Sequence, residues 1–481
     1  MKVPQTPPDF GKALNKLIHD SEKFSRAFRL DATDDRGRYL HWEEFRFKPI
    51  PEGLTAIDAW VGTKMARDKQ MRQTVFVDKN KRHFRFMETD SIRRLLHHID
   101  SKAHGQIAMP LPLNDKAIGK SFQIASLILE AFSSSRLEGA ATTRERAKKI
   151  INEGREPRDK SERMVLNNFQ AMEFITAHKD DPLSLDMILE LHRIVTKGTL
   201  DRPEMAGVLR RPEDRIVVED DEGNVLHEPP PAESLSHRLQ LLCDFANHQG
   251  EQHEDLKVFV HPIVQAIILH FMIGYDHPFV DGNGRTARAL FYWQAVKQHY
   301  WLIEYISISN VILDAPIQYG KAYLETETDD NDLTYFILHQ LTTIDKAIQE
   351  LHNHLAKKAL DLQKFEGQFS TPAYAQTFNY RQLDVLRKFI EHPGMIIATR
   401  DHQNEHGISY QTAKSDLLTL SKRGLVEERK IGKTLAFRSF PDLQERLDKL
   451  GDKRELRGHQ SAAGKRRPGA FAKARLGTVK S

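Results

Sequence analysis

Apolar positions recur along most of this chain at intervals of three and four, the spacing that lines one face of a helix. Ile124, Leu127, Ile128, Ala131 and Phe132 form one such stripe, and the stretches Ile92–Asp100 and Leu183–Val195 carry others. From Pro262 to Ile273 nearly every position is apolar, as in a helix buried on all sides, and Thr286–Val296 reads as a second helix beyond a glycine-rich turn. The acidic run Asp329–Asp332 is placed to cap a long helix extending through about Leu362. The pattern differs at Ile216–Val218 and Val225–His227, two short apolar runs around an acidic, glycine-containing turn, which predict a β-hairpin. Three prolines, Pro229 to Pro231, close it stiffly. Residues up to about 110 show clustered aromatics at Tyr39–Phe47 and no recognisable chemistry, and are read as a module packed on the helical core. Near the C-terminus the order is a helix at Asp384–Ile390, an N-capped helix within Gly407–Leu420, and short strands at Gly424–Val426 and Ala436–Arg438. The chain is therefore expected to be mainly α. Its parts are an N-terminal module (1–110), a helical core (111–362), a linker (363–380), a small C-terminal domain (381–440) and a tail (441–481).

Composition narrows this picture. With 481 residues, 40% hydrophobic and 29% charged, the chain has the balance of a globular protein with two or three domains. Cys243 is the only cysteine, which excludes an intrachain disulfide and a thiolate metal cluster and fits a reducing compartment. No signal-like apolar stretch opens the sequence and no window is long enough to span a bilayer, so a cytoplasmic protein without a membrane partner is expected. The net charge of +4 is unevenly spread: from Asp452 to Ser481 there are nine Lys/Arg against two acids, and the segment reads as a disordered basic tail.

The densest chemistry lies in His277-Pro278-Phe279-Val280-Asp281-Gly282-Asn283-Gly284-Arg285-Thr286-Ala287-Arg288. Gly282, Asn283 and Gly284 are the residue types that tolerate positive φ, so their N–H groups can turn inward around an anion, with a helix N-terminus behind them. Arg285 and Arg288 are spaced one helical turn apart, able to face one phosphate chain. Asp281 is a hard oxygen ligand suited to Mg²⁺. His277 can accept a proton near neutral pH. The histidines at 248, 253, 261 and 270, with Glu251, Glu254 and Asp255, match no zinc-site spacing and are read as scattered.

The pattern His-x-Phe-x-Asp-Gly-Asn-Gly-Arg-x-x-Arg resembles the signature of Fic domains, enzymes that move part of a nucleotide onto protein hydroxyls. Upstream, Ser134 followed by Glu138-Gly139 resembles the inhibitory motif of that family, in which the glutamate pairs with the second motif arginine, here Arg288. The resemblance implies a Fic-type helical core whose hairpin is a flap that holds a target segment in extended form. It implies a protein adenylyltransferase that uses ATP and Mg²⁺, with His277 as base, Asp281 as metal ligand, and Gly282, Asn283, Gly284, Arg285 and Arg288 on the nucleotide. Glu138 and Ser134 would be inhibitory, and Tyr319 would help form the base pocket. Gly284 favours AMP transfer, because phosphorylating members carry a bulkier basic residue there.

The C-terminal pattern resembles a winged helix-turn-helix. That implies a small DNA-binding domain, with Ser409, Tyr410, Gln411 and Lys414 at the start of its second helix and Arg429, Lys430 and Lys433 on the wing. Acidic Asp416, Glu427 and Glu428 leave dimerisation or peptide binding as an equal alternative. Expected partners are thus an unidentified target protein, with DNA and a second copy of the chain as further candidates. Two other functions remain open: a transcriptional regulator with the core as nucleotide sensor, and removal of AMP with Glu138 orienting water.

Overall fold

The computed structural model describes residues 2–103, 116–220, 222–247, 259–368, 377–392, 394–431 and 434–449. His248, Glu251, His253, Glu254 and Asp255, the wing residue Lys433 and the basic tail Asp452–Ser481 lie outside the described residues. The described residues are mainly helical, with 62% helix and 8% strand. It divides into two compact units, Met1–Leu355 and Ala356–Ser481.

The first unit is built around helix Pro262–Asp276. Every residue from Ile263 to Ile273 is buried, which explains why its sequence lacks a polar face. Helix Asn283–Lys297 packs along it, and Lys160–Ala177, Leu185–Thr196 and Leu235–Asn247 complete the surrounding layer. The second helix starts at Asn283, earlier than the Thr286 predicted from the sequence. Gly282 takes φ 87° as its N-cap, so the motif glycines form the helix entry where a separate loop was expected.

Residues before 104 pack against this core. An antiparallel hairpin of Arg72–Val77 and His83–Phe86, which the hydrophobic pattern did not reveal, delivers Phe84 against Phe271 and Tyr275 at ring separations of 5.5 and 4.9 Å. Helix Ala56–Asp68 adds a buried ion network: Lys64 Nζ lies 2.7 Å from Asp329, and Arg67 donates to the Tyr335 hydroxyl and to the carbonyls of Ala32 and Leu40. Buried charges are tolerated only when paired in this way. Asp332 then accepts from the backbone N–H of Thr334 at the start of helix Thr334–Gln368, which runs past the Leu362 expected from the sequence.

A second antiparallel pair, Val218–Glu219 with Val225–His227, forms the hairpin expected from the short apolar runs. Asp220 closes its turn by accepting from the N–H groups of Glu222 and Asn224.

In the second unit, helices Tyr380–Glu391, Thr399–His406 and Tyr410–Lys422 accompany a three-stranded antiparallel sheet. Its central strand, Thr434–Ser439, pairs with both Ile396–Ala398 and Val426–Ile431. Helix Thr399–His406 and strand Ile396–Ala398 escape the sequence reading because both are too short to show a period. Ser409 caps the helix at Tyr410, as its position implies. Asp384, Glu405 and His406 stand together with metal-like spacing, but Lys388 Nζ lies 2.7 Å from Asp384 and 2.6 Å from Glu405 and already supplies the positive charge.

Candidate active site

The last turn of helix Pro262–Asp276 ends at His277, whose backbone is left-handed at φ 45° and ψ 56°. That geometry reverses the chain and sends Phe279 into the core while the imidazole faces a cavity of about 250 Å³. His277 Nδ1 lies 3.1 Å from the Gly274 carbonyl. A carbonyl can only accept, so Nδ1 carries the hydrogen and Nε2 is left to take a proton. Burial lowers His277 to about 4, which keeps the ring neutral near pH 7.

The turn after it is latched from both ends. Asn283 Oδ1 accepts from the Phe279 N–H at 2.9 Å, and its Nδ2 donates to the Phe279 carbonyl at 2.8 Å. Its side chain is thus a structural clasp, while its backbone N–H stands in the first turn of the motif helix. His192, which the sequence reading passed over inside an amphipathic stripe, is stacked on Phe279 with ring centroids 3.7 Å apart. Its Nε2 meets the Asp281 carbonyl at 2.8 Å and its Nδ1 accepts from the Gly207 N–H at 2.9 Å. Gly282 has no room for a side chain, since a Cβ would lie 2.6 Å from Thr196 Cγ2.

The charged groups follow. Asp281 is half exposed, and one carboxylate oxygen accepts from Gly282 N–H at 2.5 Å and faces Arg285 Nη2 at 3.4 Å. Arg285 is buried and donates through Nη1 to the Val195 carbonyl at 2.8 Å. Arg288, also buried, points into the cavity. It donates through Nε to Ser134 Oγ at 2.8 Å, and through Nη2 to the Ser134 carbonyl at 3.1 Å and to Glu138 Oε1 at 2.8 Å. Burial pushes the Glu138 carboxyl up, but Arg288 and Arg285 more than offset it and hold it below the usual range. Gly284 lies directly beneath this pair: a Cβ there would sit 2.3 Å from Glu138 Oε1.

Glu138 reaches Arg288 because helix Lys116–Leu137 is bolted in place. Glu130, buried on that helix, accepts from the Tyr292 hydroxyl and Ser307 Oγ at 2.8 Å each, and from Ser309. The structure therefore brings together all nine residues singled out from the sequence: Ser134, Glu138, His277, Asp281, Gly282, Asn283, Gly284, Arg285 and Arg288. Tyr319 lines the same cavity and its hydroxyl lies 2.8 Å from His270 Nε2.

Residues 182–295 match the Fic/DOC family. This segment is a Fic domain. It contains the hairpin, the base helix and the motif helix, and begins after the segment that carries Ser134 and Glu138. The chain is similar to proteins called protein adenylyltransferase Fic: 31% identical over 129 residues to that of Nematostella vectensis and 34% over 128 residues to that of Drosophila willistoni. These matches cover 26% of this chain, and they span 26% and 22% of the two relatives, about a quarter of their length. Among solved structures, a Fic family protein from Desulfovibrio desulfuricans aligns over 73% of this chain and 97% of its own, with TM-score 0.46 and 19% identity. Among the described residues no helix is long and apolar enough to cross a membrane.

Proposed function

We propose that this protein is an adenylyltransferase that moves AMP from ATP to a serine, threonine or tyrosine hydroxyl of a protein target, and that Glu138 restrains it. The observation that carries this reading is the Glu138–Arg288 pair at 2.8 Å, in the same cavity as His277. Arg288 offers a planar fork suited to a phosphate, and Glu138 and Ser134 together occupy it.

In this reading His277 Nε2 accepts the hydroxyl proton as the oxygen attacks the α-phosphorus, and pyrophosphate leaves. The backbone N–H groups of the first turn of helix Asn283–Lys297 face the charge that develops there, at the positive end of its dipole. Asp281 fits Mg²⁺: a single accessible carboxylate completed by phosphate oxygens and water is the donor set this ion favours. When bound, the ion would neutralise phosphate charge. Arg285 braces Asp281 from below. The hairpin would pair with an extended target strand, since strand edges bind any backbone.

The test is label transfer from ATP carrying ³²P at its α-phosphate, with Mg²⁺ and host lysate. Strong transfer by Glu138→Gly, weak transfer by the unaltered protein, and none by Glu138→Gly combined with His277→Ala is expected. No transfer by any of the three would sink ATP as donor. Release of AMP from labelled protein that disappears in Glu138→Gly would favour demodification instead.

A second reading concerns the C-terminal unit. Its order of helix, strand, two helices and two strands supports a winged helix-turn-helix, with Tyr410 39% exposed beside Lys414 at the start of the third helix. Such a unit could bind DNA or join two copies of the chain. DNA binding that weakens steeply with salt and on Lys414→Ala would support the first; concentration-dependent dimerisation untouched by DNA would support the second.

A further inference from the structure

The last carbonyls of a helix have no donors of their own within it. At the end of helix Pro262–Asp276 this matters more than usual, because the next residue is His277, a β-carbon residue in left-handed geometry that only surrounding contacts can hold. Four consecutive carbonyls there, from Tyr275 to Pro278, all find donors, and every donor comes from residues 210 and 227. Arg210 donates through Nε to the His277 carbonyl at 2.7 Å, through Nη2 to that of Asp276 at 3.3 Å, and through its backbone N–H to that of Pro278 at 2.9 Å. His227 places Nε2 2.7 Å from the Tyr275 carbonyl.

Both residues also grip something else. Arg210 Nη2 donates to the Pro230 carbonyl at 2.6 Å, and His227 Nδ1 lies 2.7 Å from Glu327 Oε2. His227 is the last residue of the second hairpin strand, and Arg210 and Pro230 flank the hairpin on either side. The hairpin and the backbone of the base are thus held by the same two side chains. Both are largely buried, Arg210 at 8% exposure and His227 at 8%.

We propose that Arg210 and His227 are positioning residues: they fix the left-handed backbone of His277 and pass the placement of the hairpin on to its imidazole. This rests on the nucleotidyl-transfer reading above. Arg210 does not line the cavity, whereas His227 does, so ATP affinity measured beside the rate is what separates positioning from nucleotide binding. Misplacing a reacting group by about 1 Å costs on the order of a hundredfold in rate.

The experiment compares Arg210→Gln, Arg210→Lys, His227→Leu and His227→Gln, each in the Glu138→Gly background. Initial rates of label transfer from α-³²P-ATP are read beside the affinity for ATP and the melting temperature. Arg210→Gln and His227→Leu are expected to lose about 10- to 100-fold in kcat with ATP affinity within about twofold of the parent. Arg210→Lys should fare little better than Gln, because an ammonium cannot span two carbonyls as the fork does. His227→Gln, whose amide N–H can still reach the Tyr275 carbonyl, should recover most of the rate lost in His227→Leu. Unchanged kcat in Arg210→Gln, or kcat and ATP affinity falling together with melting temperature, would overturn the proposal. If the Glu138→Gly parent transfers nothing, the function reading fails, and carbethoxylation of His277 by diethyl pyrocarbonate still decides the positioning role without nucleotide. Labelling of His277 several times faster in Arg210→Gln supports it; an unchanged labelling rate refutes it.

Discussion

The turn that carries His277 and the segment that carries Glu138 face each other across one cavity, yet they are held in different ways. His277 donates from Nδ1 to the Gly274 carbonyl and accepts at its own carbonyl from Arg210, while His227 and Asn283 tie down the neighbouring Tyr275 and Phe279 and His192 stacks on Phe279. Glu138 stands past the end of its helix, a quarter exposed, and reaches the site through its bond to Arg288. In the proposed roles, the base is over-determined and the brake hangs on one charged pair. A base needs a fixed direction for its lone pair, which many weak bonds supply; a brake has to be released, which a single charged pair permits.

Removing the base is the sharpest way to break this contrast. His277→Ala should lower transfer in the Glu138→Gly background by about 10²- to 10⁴-fold, the usual range for a positioned general base, while the melting temperature stays close to the parent's. The same background carries a pH signature. Because burial lowers His277 to about 4, the ring stays able to accept a proton well below its ordinary 6.5. Protonation removes the base, so rates should hold from about pH 8 to about 5 and then fall as pH approaches 4. Loss of Glu138, which favours the protonated ring, can only move that limb lower. An acid limb centred at 6.5 would break the picture.

Loosening the turn should come next. Asn283→Ala deletes both bonds to Phe279 and leaves a buried N–H and carbonyl unmet, a cost of about 1–3 kcal/mol for each unsatisfied group. Differential scanning calorimetry should show a lower melting temperature, with a matching loss of transfer. If both stay near the parent's, the turn is not latched as described.

The brake should yield in a single step. Glu138→Gly is expected to raise transfer about tenfold or more, corresponding to ~1.4 kcal/mol or more. It also leaves Arg288 buried without its carboxylate, so ATP with Mg²⁺ should raise the melting temperature of this variant more than that of the unaltered protein. Equal ligand shifts in the two would mean that Glu138 does not compete with the nucleotide.

The smallest effect is expected from Ser134→Ala. Arg288 would lose its bond to the hydroxyl but keep the Ser134 carbonyl and Glu138. A change in transfer of only a few fold, with a stability loss of about 1 kcal/mol, would place the restraint on the carboxylate. An activation as large as that of Glu138→Gly would show that the serine shares it.

How much of this was legible beforehand depended on how local each cause is. The hairpin at Val218–His227 and the helices at Pro262 and Thr334 show their period or caps within a few residues, and the structure has them there. The hairpin of Arg72–Val77 and His83–Phe86 went unread, because its short alternation has meaning only against Phe271 and Tyr275, about 190 residues away. The motif supplied the identities of the site residues because their chemistry is local: an acid, a base, two arginines and glycines within twelve positions.

By itself, then, the sequence determined the helical class and a motif whose residue types suit an anion cradle, since both follow from residue type and spacing; the expectation that Glu138 meets Arg288 came from the resemblance to Fic domains. Only the tertiary structure decided that Arg285 turns its fork to Val195, that Asn283 clasps a turn, and that Arg210, His192 and His227 meet the carbonyls of His277, Asp281 and Tyr275. Those roles depend on which backbone carbonyl a side chain meets across dozens of residues. Backbone carbonyls are the same in every residue, so nothing in the sequence distinguishes them.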